Sequence, residues 1–227
     1  MKNYLTEFIG VFFLVLTIGL MVIGESEFAP LAIGSVLMVM VYMGGHISGG
    51  HYNPAVTLAV MLRGKLAWNE TILYWISQII GALVASFAVF TITGLTFAPA
   101  PGEGVSVSSA LLVEFLFTFA LCLVVCNSAT AGATAGNSFY GLAIGFTVVA
   151  GAFAGGGVSG AAFNPAVGTG PILFSALVGD GGFGNLWIYL VGPFAGGVVA
   201  AIVSNFQHAD EAVAPQVAST APEPKQL

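Results

Sequence analysis

Ser48–Thr57 reads SGGHYNPAVT, and this stretch decides the fold because it lies between apolar runs that are each long enough to cross a bilayer. In hydrocarbon, irregular backbone leaves N–H and C=O groups unbonded at several kcal/mol each, so it is tolerated only where protein or water covers it. A similar stretch, SGAAFNPAVG, returns at Ser159–Gly168, and Asn53 and Asn164 are 111 residues apart. We interpret the two copies as the halves of a single site.

The composition is that of an integral membrane protein. The 227 residues are 57% hydrophobic and 6% charged, with a mean hydropathy of +0.98, which leaves too little polar surface for a soluble domain. Ten acidic residues against four basic ones give a net charge of −6. There is no basic patch, so the sequence predicts no nucleic-acid partner.

Six apolar windows have about the 20 residues that a helix needs to cross the hydrocarbon core. They predict transmembrane helices at roughly 4–24, 31–45, 71–97, 108–128, 137–155 and 186–207. Two shorter apolar segments, 54–62 and 165–178, follow the repeated stretches, and each opens with a proline. Proline suits the first turn of a helix, where its missing N–H would be unbonded anyway, so we predict two half-helices.

The order span, span, half-helix, span therefore occurs twice. We predict a first repeat at 1–97, a linker at 98–107, a second repeat at 108–207 and a disordered cytoplasmic tail at 208–227. Three spans in each repeat mean that the second repeat is inverted in the membrane. Inverted repeats typically place the functional site at their interface, near the midplane, where the ends of broken helices meet.

Glu7 and Glu114 are a second mark of the repeat, since each lies near the start of the first span of its half. A carboxylate inside a span is costly unless it is paired, and no Lys or Arg lies within the predicted spans. We therefore expect each glutamate to accept hydrogen bonds from backbone N–H groups of the neighbouring re-entrant loop and to act as a loop brace. A proton relay is the alternative.

The few basic residues predict the orientation. Lys2 precedes the first span, and Arg63 and Lys65 follow the first half-helix. The positive-inside rule places these ends in the cytoplasm, so both termini are expected to be cytoplasmic in a multi-pass protein of the plasma or inner membrane.

The repeated stretches have the chemistry of a polar path. Each half-helix directs free N–H groups and roughly +0.5 of an elementary charge towards the midplane, which repels cations. Asn53 and Asn164 can cap their helices with a carbonyl oxygen and offer an amide N–H₂ to a solute. The backbone carbonyls expected to line the path on either side belong to Gly49, Gly50, His51, Gly160, Ala161 and Ala162.

A single Asn-Pro-Ala is a weak signal, but two copies with Ser-Gly upstream, each opening a half-span, form a strong one. With these motifs, residues 4–207 resemble the aquaporin and aquaglyceroporin family, the major intrinsic proteins. The resemblance implies an all-α membrane protein with six tilted transmembrane helices and two re-entrant half-helices. It further implies a pore in every subunit and a homotetramer in the lipid bilayer.

The sequence departs from most of the family at the narrow outer filter. Where the family usually has an arginine after the second Asn-Pro-Ala, this chain has Val167. Counting from the two asparagines places the other filter positions at Ile33, Ala152 and Ala161. The resemblance thus implies a wide apolar filter that passes water and small neutral solutes, with glycerol, urea, ammonia, hydrogen peroxide and neutral metalloid hydroxides as candidates.

Two alternative functions remain open from the sequence. Inverted repeats also occur in secondary transporters, which would need a site for a coupling ion. Loss of the filter arginine could also produce a weakly selective ion-conducting pore. No enzymatic activity, cofactor or metal site is predicted, because no nucleophile–base pair or metal-ligand spacing is found.

Overall fold

The computed structural model describes residues 1–179 and 181–212, and its regular structure there is entirely helical. The α-helices are α1 Lys2–Ile23, α2 Ala29–Ser48, α3 Pro54–Leu62, α4 Trp68–Thr93, α5 Val107–Val125, α6 Tyr140–Ser159, α7 Pro165–Val178 and α8 Leu186–Gln207. Six of them are long and apolar enough to cross a membrane, and α3 and α7 are the predicted half-helices. This confirms the predicted fold class.

Glycines end three of the long helices, and they explain where the predicted spans were wrong. Gly49, Gly94 and Gly160 adopt the left-handed conformation, with φ of 90°, 74° and 81°, and each forms the C-terminal cap. As a result α2 continues to Ser48 rather than to 45, and α4 ends at Thr93 rather than at 97. Glycine takes positive φ at no steric cost, so Gly94 can end α4 even though the residues after it are apolar. Those apolar residues therefore belong to the connection between the repeats.

The bundle has a terminal side and a linker side, each defined by the helix ends and connections that lie there. On the terminal side, where α1 begins and α8 ends, Arg63 donates to the Ser204 carbonyl oxygen at 3.2 Å, so α3 ends on this side. On the linker side, the Gly102 N–H donates to the Val158 carbonyl oxygen at 3.1 Å near the end of α6.

The packing follows the inverted repeat. The first span of each half contacts the last span of the same half, as α1 contacts α4 and α5 contacts α8. Each half-helix packs on the last span of the other half, as α3 contacts α8 and α7 contacts α4. Gly197 permits the first of these contacts, since a Cβ there would lie 2.7 Å from the Ala55 carbonyl oxygen. The half-helices thus join the repeats at the centre of the bundle.

Three short elements lie at the terminal side, and one of them is the 3₁₀ turn Gly132–Thr134 between α5 and α6. A π-helical turn, Cys126–Thr130, extends the fourth span beyond α5. Of the predicted disordered tail at 208–227, residues Ala209–Ala212 form a 3₁₀ turn. The remaining tail, 213–227, lies outside the described residues, as does Asp180.

Candidate functional site

Each re-entrant loop reverses direction through residues with positive φ. In the first loop Gly50 and Tyr52 have φ of 63° and 48°, and in the second Ala161 and Phe163 have φ of 49° and 48°. The following asparagines are extended, with φ of −157° at Asn53 and −155° at Asn164. Three non-glycine residues therefore hold left-handed backbone, Ala161 and the matching pair Tyr52 and Phe163, and this conformation requires support from the surroundings.

Glu7 supplies this support in the first loop. Its Oε1 accepts from the Ser48 hydroxyl at 2.7 Å and from the His51 N–H at 3.0 Å. Its Oε2 accepts from the Tyr52 N–H at 2.6 Å and from Gln78 Nε2 at 2.8 Å. The carboxylate is fully buried, so four donors replace the water that it has lost.

Glu114 repeats the arrangement in the second loop. Its Oε1 accepts from the Ser159 hydroxyl at 2.7 Å and from the Ala162 N–H at 3.0 Å, and its Oε2 accepts from the Phe163 N–H at 2.7 Å. The predicted partners of both glutamates, backbone N–H groups of the adjacent loop, are thereby confirmed.

Two tyrosines that the sequence did not single out for this role complete the braces. Tyr74 donates its hydroxyl proton to the Ser48 carbonyl oxygen at 2.7 Å, and Tyr189 donates to the Ser159 carbonyl oxygen at 2.6 Å. Both rings belong to the last span of their repeat. They come from different positions relative to the asparagines, so counting along the repeats could not pair them.

Asn53 and Asn164 meet across the interface between the repeats. The Oδ1 of Asn53 accepts from the Ala55 N–H at 2.8 Å, and the Oδ1 of Asn164 accepts from the Ala166 N–H at 2.9 Å. Each therefore caps its own half-helix as predicted. Their amide nitrogens cross over, since Asn53 Nδ2 donates to the Phe163 carbonyl oxygen at 2.8 Å and Asn164 Nδ2 donates to the Tyr52 carbonyl oxygen at 2.9 Å.

These crossed bonds determine how many amide N–H groups remain for a solute. An Asn amide has two N–H bonds, and the loop opposite takes one from each residue. Both side chains also line the central cavity, so the second N–H of each amide remains the predicted donor to an occupant.

The central cavity has a volume of about 370 Å³ and is mostly apolar. It extends from Val22 and Ala29 on the linker side, past the two asparagines, to Val125 towards the terminal side. Most of the residues predicted to contact a solute lie on its wall, namely Ile33, Ala152, Ala161, Val167, Gly50, His51, Gly160, Ala162, Asn53 and Asn164. Gly49 does not, because it forms the cap of α2 behind the loop.

Part of the wall comes from the connection between the repeats, which the sequence did not assign to the pore. Phe97, Ala98, Pro99 and Ala100 line the cavity from the connection between the repeats. The apolar window at 71–97 had placed Phe97 in a span, and only the C-cap signal of Gly94 could have moved it out of the helix. Among the described residues, no group of three His, Cys, Asp or Glu is placed to hold a metal ion.

Comparison with known proteins agrees with this geometry. Residues 1–204 match the family model described as Major intrinsic protein. The chain is 37% identical over 215 residues to Aquaporin NIP1-1 of Zea mays, an alignment that covers 90% of this chain and 74% of that protein. It is 35% identical over 224 residues to Glycerol uptake facilitator protein-like 6 of Lactiplantibacillus plantarum, covering 93% of this chain and all of that protein, 100%.

A solved structure shares the fold. The X-ray structure of the aquaglyceroporin from Plasmodium falciparum superposes with a TM-score of 0.82, covering 94% of this chain and 99% of that chain at 20% sequence identity. With the family model matching almost the whole described chain, the chain belongs to the major intrinsic protein family.

Proposed function

We propose that this protein is a passive transmembrane channel whose wide apolar filter admits water and small neutral solutes such as glycerol and urea. The observation that carries the proposal is the pair of crossed, capped asparagines on the wall of a cavity that runs along the bundle. We expect each asparagine to offer its second N–H to the cavity and the adjoining loops to offer backbone carbonyls. Donors at the centre with acceptors on the flanking loops suit a file of small uncharged molecules.

The filter favours neutral solutes over ions for two reasons. Ile33, Ala152, Ala161 and Val167 present only apolar side chains, so an ion would lose its hydration without compensation. The N-termini of α3 and α7 both point into the cavity region, where their partial positive charges oppose cations.

A secondary transporter is the second candidate, and the bonding of the two glutamates disfavours it. Glu7 and Glu114 accept four and three hydrogen bonds respectively, which supports a role as loop braces over one as ligands of a coupling ion. Neither residue lines the cavity.

We further propose a homotetramer in the plasma or inner membrane with both termini in the cytoplasm.

Stopped-flow light scattering on proteoliposomes tests the channel function. Osmotic gradients of glycerol and urea should give fluxes that rise linearly with concentration, because a pore does not saturate as a carrier does. Saturation at millimolar solute would reject the channel in favour of the transporter.

A substitution in the filter tests the assigned position of Val167. Val167→Arg should reduce glycerol and urea flux more than water flux, because a charged donor group then occupies the apolar opening. Val167→Met is the control, since it has similar bulk without charge and should reduce solute flux less. Equal solute selectivity in all three proteins would remove Val167 from the filter.

A further inference from the structure

The linker-side mouth of the cavity contains one bulky ring that the filter positions do not supply. Phe97 lies in the connection after α4 and lines the cavity together with Ile18 and Val22 of α1. Ile33, Ala152, Ala161 and Val167 contribute no aromatic ring to this mouth. Phe97 is therefore placed to narrow the opening where those four residues leave it wide.

Gly19 of α1 provides the seat for this ring. A Cβ built at Gly19 would lie 2.5 Å from Phe97 Cε1 and 2.8 Å from Phe97 Cζ. It would also lie 2.7 Å from Val89 Cγ2. The ring thus occupies space that exists only because residue 19 has no side chain, and any group added there would displace Phe97, Val89 or both.

The other two rings on the cavity wall are engaged elsewhere. The ring of Phe163 packs on that of Phe117 with centroids 5.2 Å apart, on the side of α5 and α6. The His51 ring lies in the first loop, with Nδ1 3.2 Å from the Thr57 hydroxyl and its centroid 5.2 Å from that of Tyr74. Among the cavity-lining residues of the described chain, Phe97 is thus the aromatic of the linker-side mouth.

The segment that carries Phe97 is held on both sides. Before it, the Leu95 N–H donates to the Thr93 hydroxyl at 3.1 Å. After it, the Gly102 N–H donates to the Val158 carbonyl oxygen. The Ala100 backbone lies against Gly160, since a Cβ added to Gly160 would be 3.1 Å from the Ala100 nitrogen and carbonyl oxygen. This fixes the linker against α4 and the second re-entrant loop, so the ring has a defined position.

We propose that Phe97 is a specificity-determining residue, whose ring, seated on Gly19, sets the upper size of the neutral solutes that enter from the linker side. The inference rests on the proposed channel function. It assigns to the inter-repeat linker a part of solute selection that the four filter positions do not perform.

A graded series of substitutions tests the proposal. Phe97→Trp, the wild type, Phe97→Leu and Phe97→Ala should show increasing flux of glycerol and of the larger polyol erythritol in proteoliposomes. From wild type to Phe97→Ala we expect about a fivefold rise in erythritol flux relative to water, which corresponds to ~1 kcal/mol of barrier. Phe206→Ala, which removes the same ring from an exposed position near the end of α8, should leave the ratio unchanged.

Gly19 provides an independent arm. Gly19→Ala should push the ring towards the lumen and lower glycerol flux, and Gly19→Ala with Phe97→Ala should restore it. Loss of flux that the double substitution does not relieve would mean that residue 19 acts through Val89, and would overturn the seat. If Gly19→Ala does not yield folded protein, the Phe97 series decides.

The outcomes separate the inference from the function on which it rests. A wild type that conducts glycerol, together with a folded Phe97→Ala variant of unchanged size limit, would overturn the role of Phe97 alone. A wild type that conducts none of these solutes would overturn the channel and the inference with it.

Discussion

Glu7 accepts four hydrogen bonds around the first re-entrant loop, one more than Glu114 accepts around the second, so its removal is informative. Glu7→Ala would leave the N–H groups of His51 and Tyr52 buried without an acceptor. At about 1–3 kcal/mol for each unsatisfied donor, we expect a loss of about 3 kcal/mol or more in the free energy of unfolding. Unfolding of the purified protein, followed as the fraction of denaturing detergent in mixed micelles is raised, measures this free energy.

The Glu7→Ala experiment has a matched control and a result that would contradict the expectation. Glu27→Ala makes the same chemical change at an exposed position between α1 and α2, so it should leave the stability nearly unchanged. A Glu7→Ala variant of normal stability that alters proton flux into liposomes loaded with a pH-sensitive dye would instead support the proton relay.

Gly50 and Ala161 occupy matching positions with similar left-handed backbone, and they offer a reciprocal test of strain. A Cβ at Gly50 would meet its nearest neighbour at 3.4 Å, so Gly50→Ala adds conformational strain without a severe clash. We expect it to destabilise the protein by about 1 kcal/mol, and Ala161→Gly to stabilise it by a smaller amount because glycine also gains entropy in the unfolded chain. Thermal unfolding in detergent measures both, and shifts of the same sign would argue against strain at these positions.

At the scale of elements, the two half-helices are proposed to form the barrier to cations. Asn53→Asp preserves an oxygen that caps α3 at Ala55 but adds a full negative charge against a partial positive one. We expect it to admit Na⁺ or K⁺, measured as conductance across planar bilayers. Asn53→Ser, a neutral cap, should remain non-conducting.

A non-conducting Asn53→Asp variant that still passes glycerol would place the cation barrier elsewhere, in the apolar filter. The same experiment on Asn164→Asp asks whether the two helices contribute equally, as their similar caps predict.

The elements differ in how far the sequence could predict them, and the reason is local chemistry. The half-helices have their predicted bounds, and their starts were predictable because Pro54 and Pro165 mark the first turns. Helix α8 also has its predicted bounds. The predicted end of α4 was wrong, because the apolar sequence continues through Leu95 and Phe97 although Gly94 ends the helix.

The site follows the same division. The pairing of Asn53 with Asn164 could be inferred from a repeated motif. The contribution of Phe97 to the wall could not, because it depends on where the linker packs in three dimensions. The hydroxyl bonds of Tyr74 and Tyr189 join residues 26 and 30 positions apart and leave no pattern in the sequence.

For the whole molecule, the distribution of charge predicts which side faces the cytoplasm. Lys2, Arg63 and Lys65 lie on the terminal side, whereas the acidic residues Glu27 and Glu103 lie in connections on the linker side. Positive charges near the ends of spans are retained in the cytoplasm, so the linker side should face outward.

Labelling of single introduced cysteines tests this orientation. In intact cells, a membrane-impermeant maleimide should react with Glu103→Cys and should reach Lys65→Cys only after permeabilisation, because residue 103 would be outside and residue 65 inside. The wild type is the control, since the free Cys122 and Cys126 are buried and should not react. The reverse pattern of labelling would place both termini outside, and the linker that carries Phe97 would then select solutes on the cytoplasmic side rather than the outer one.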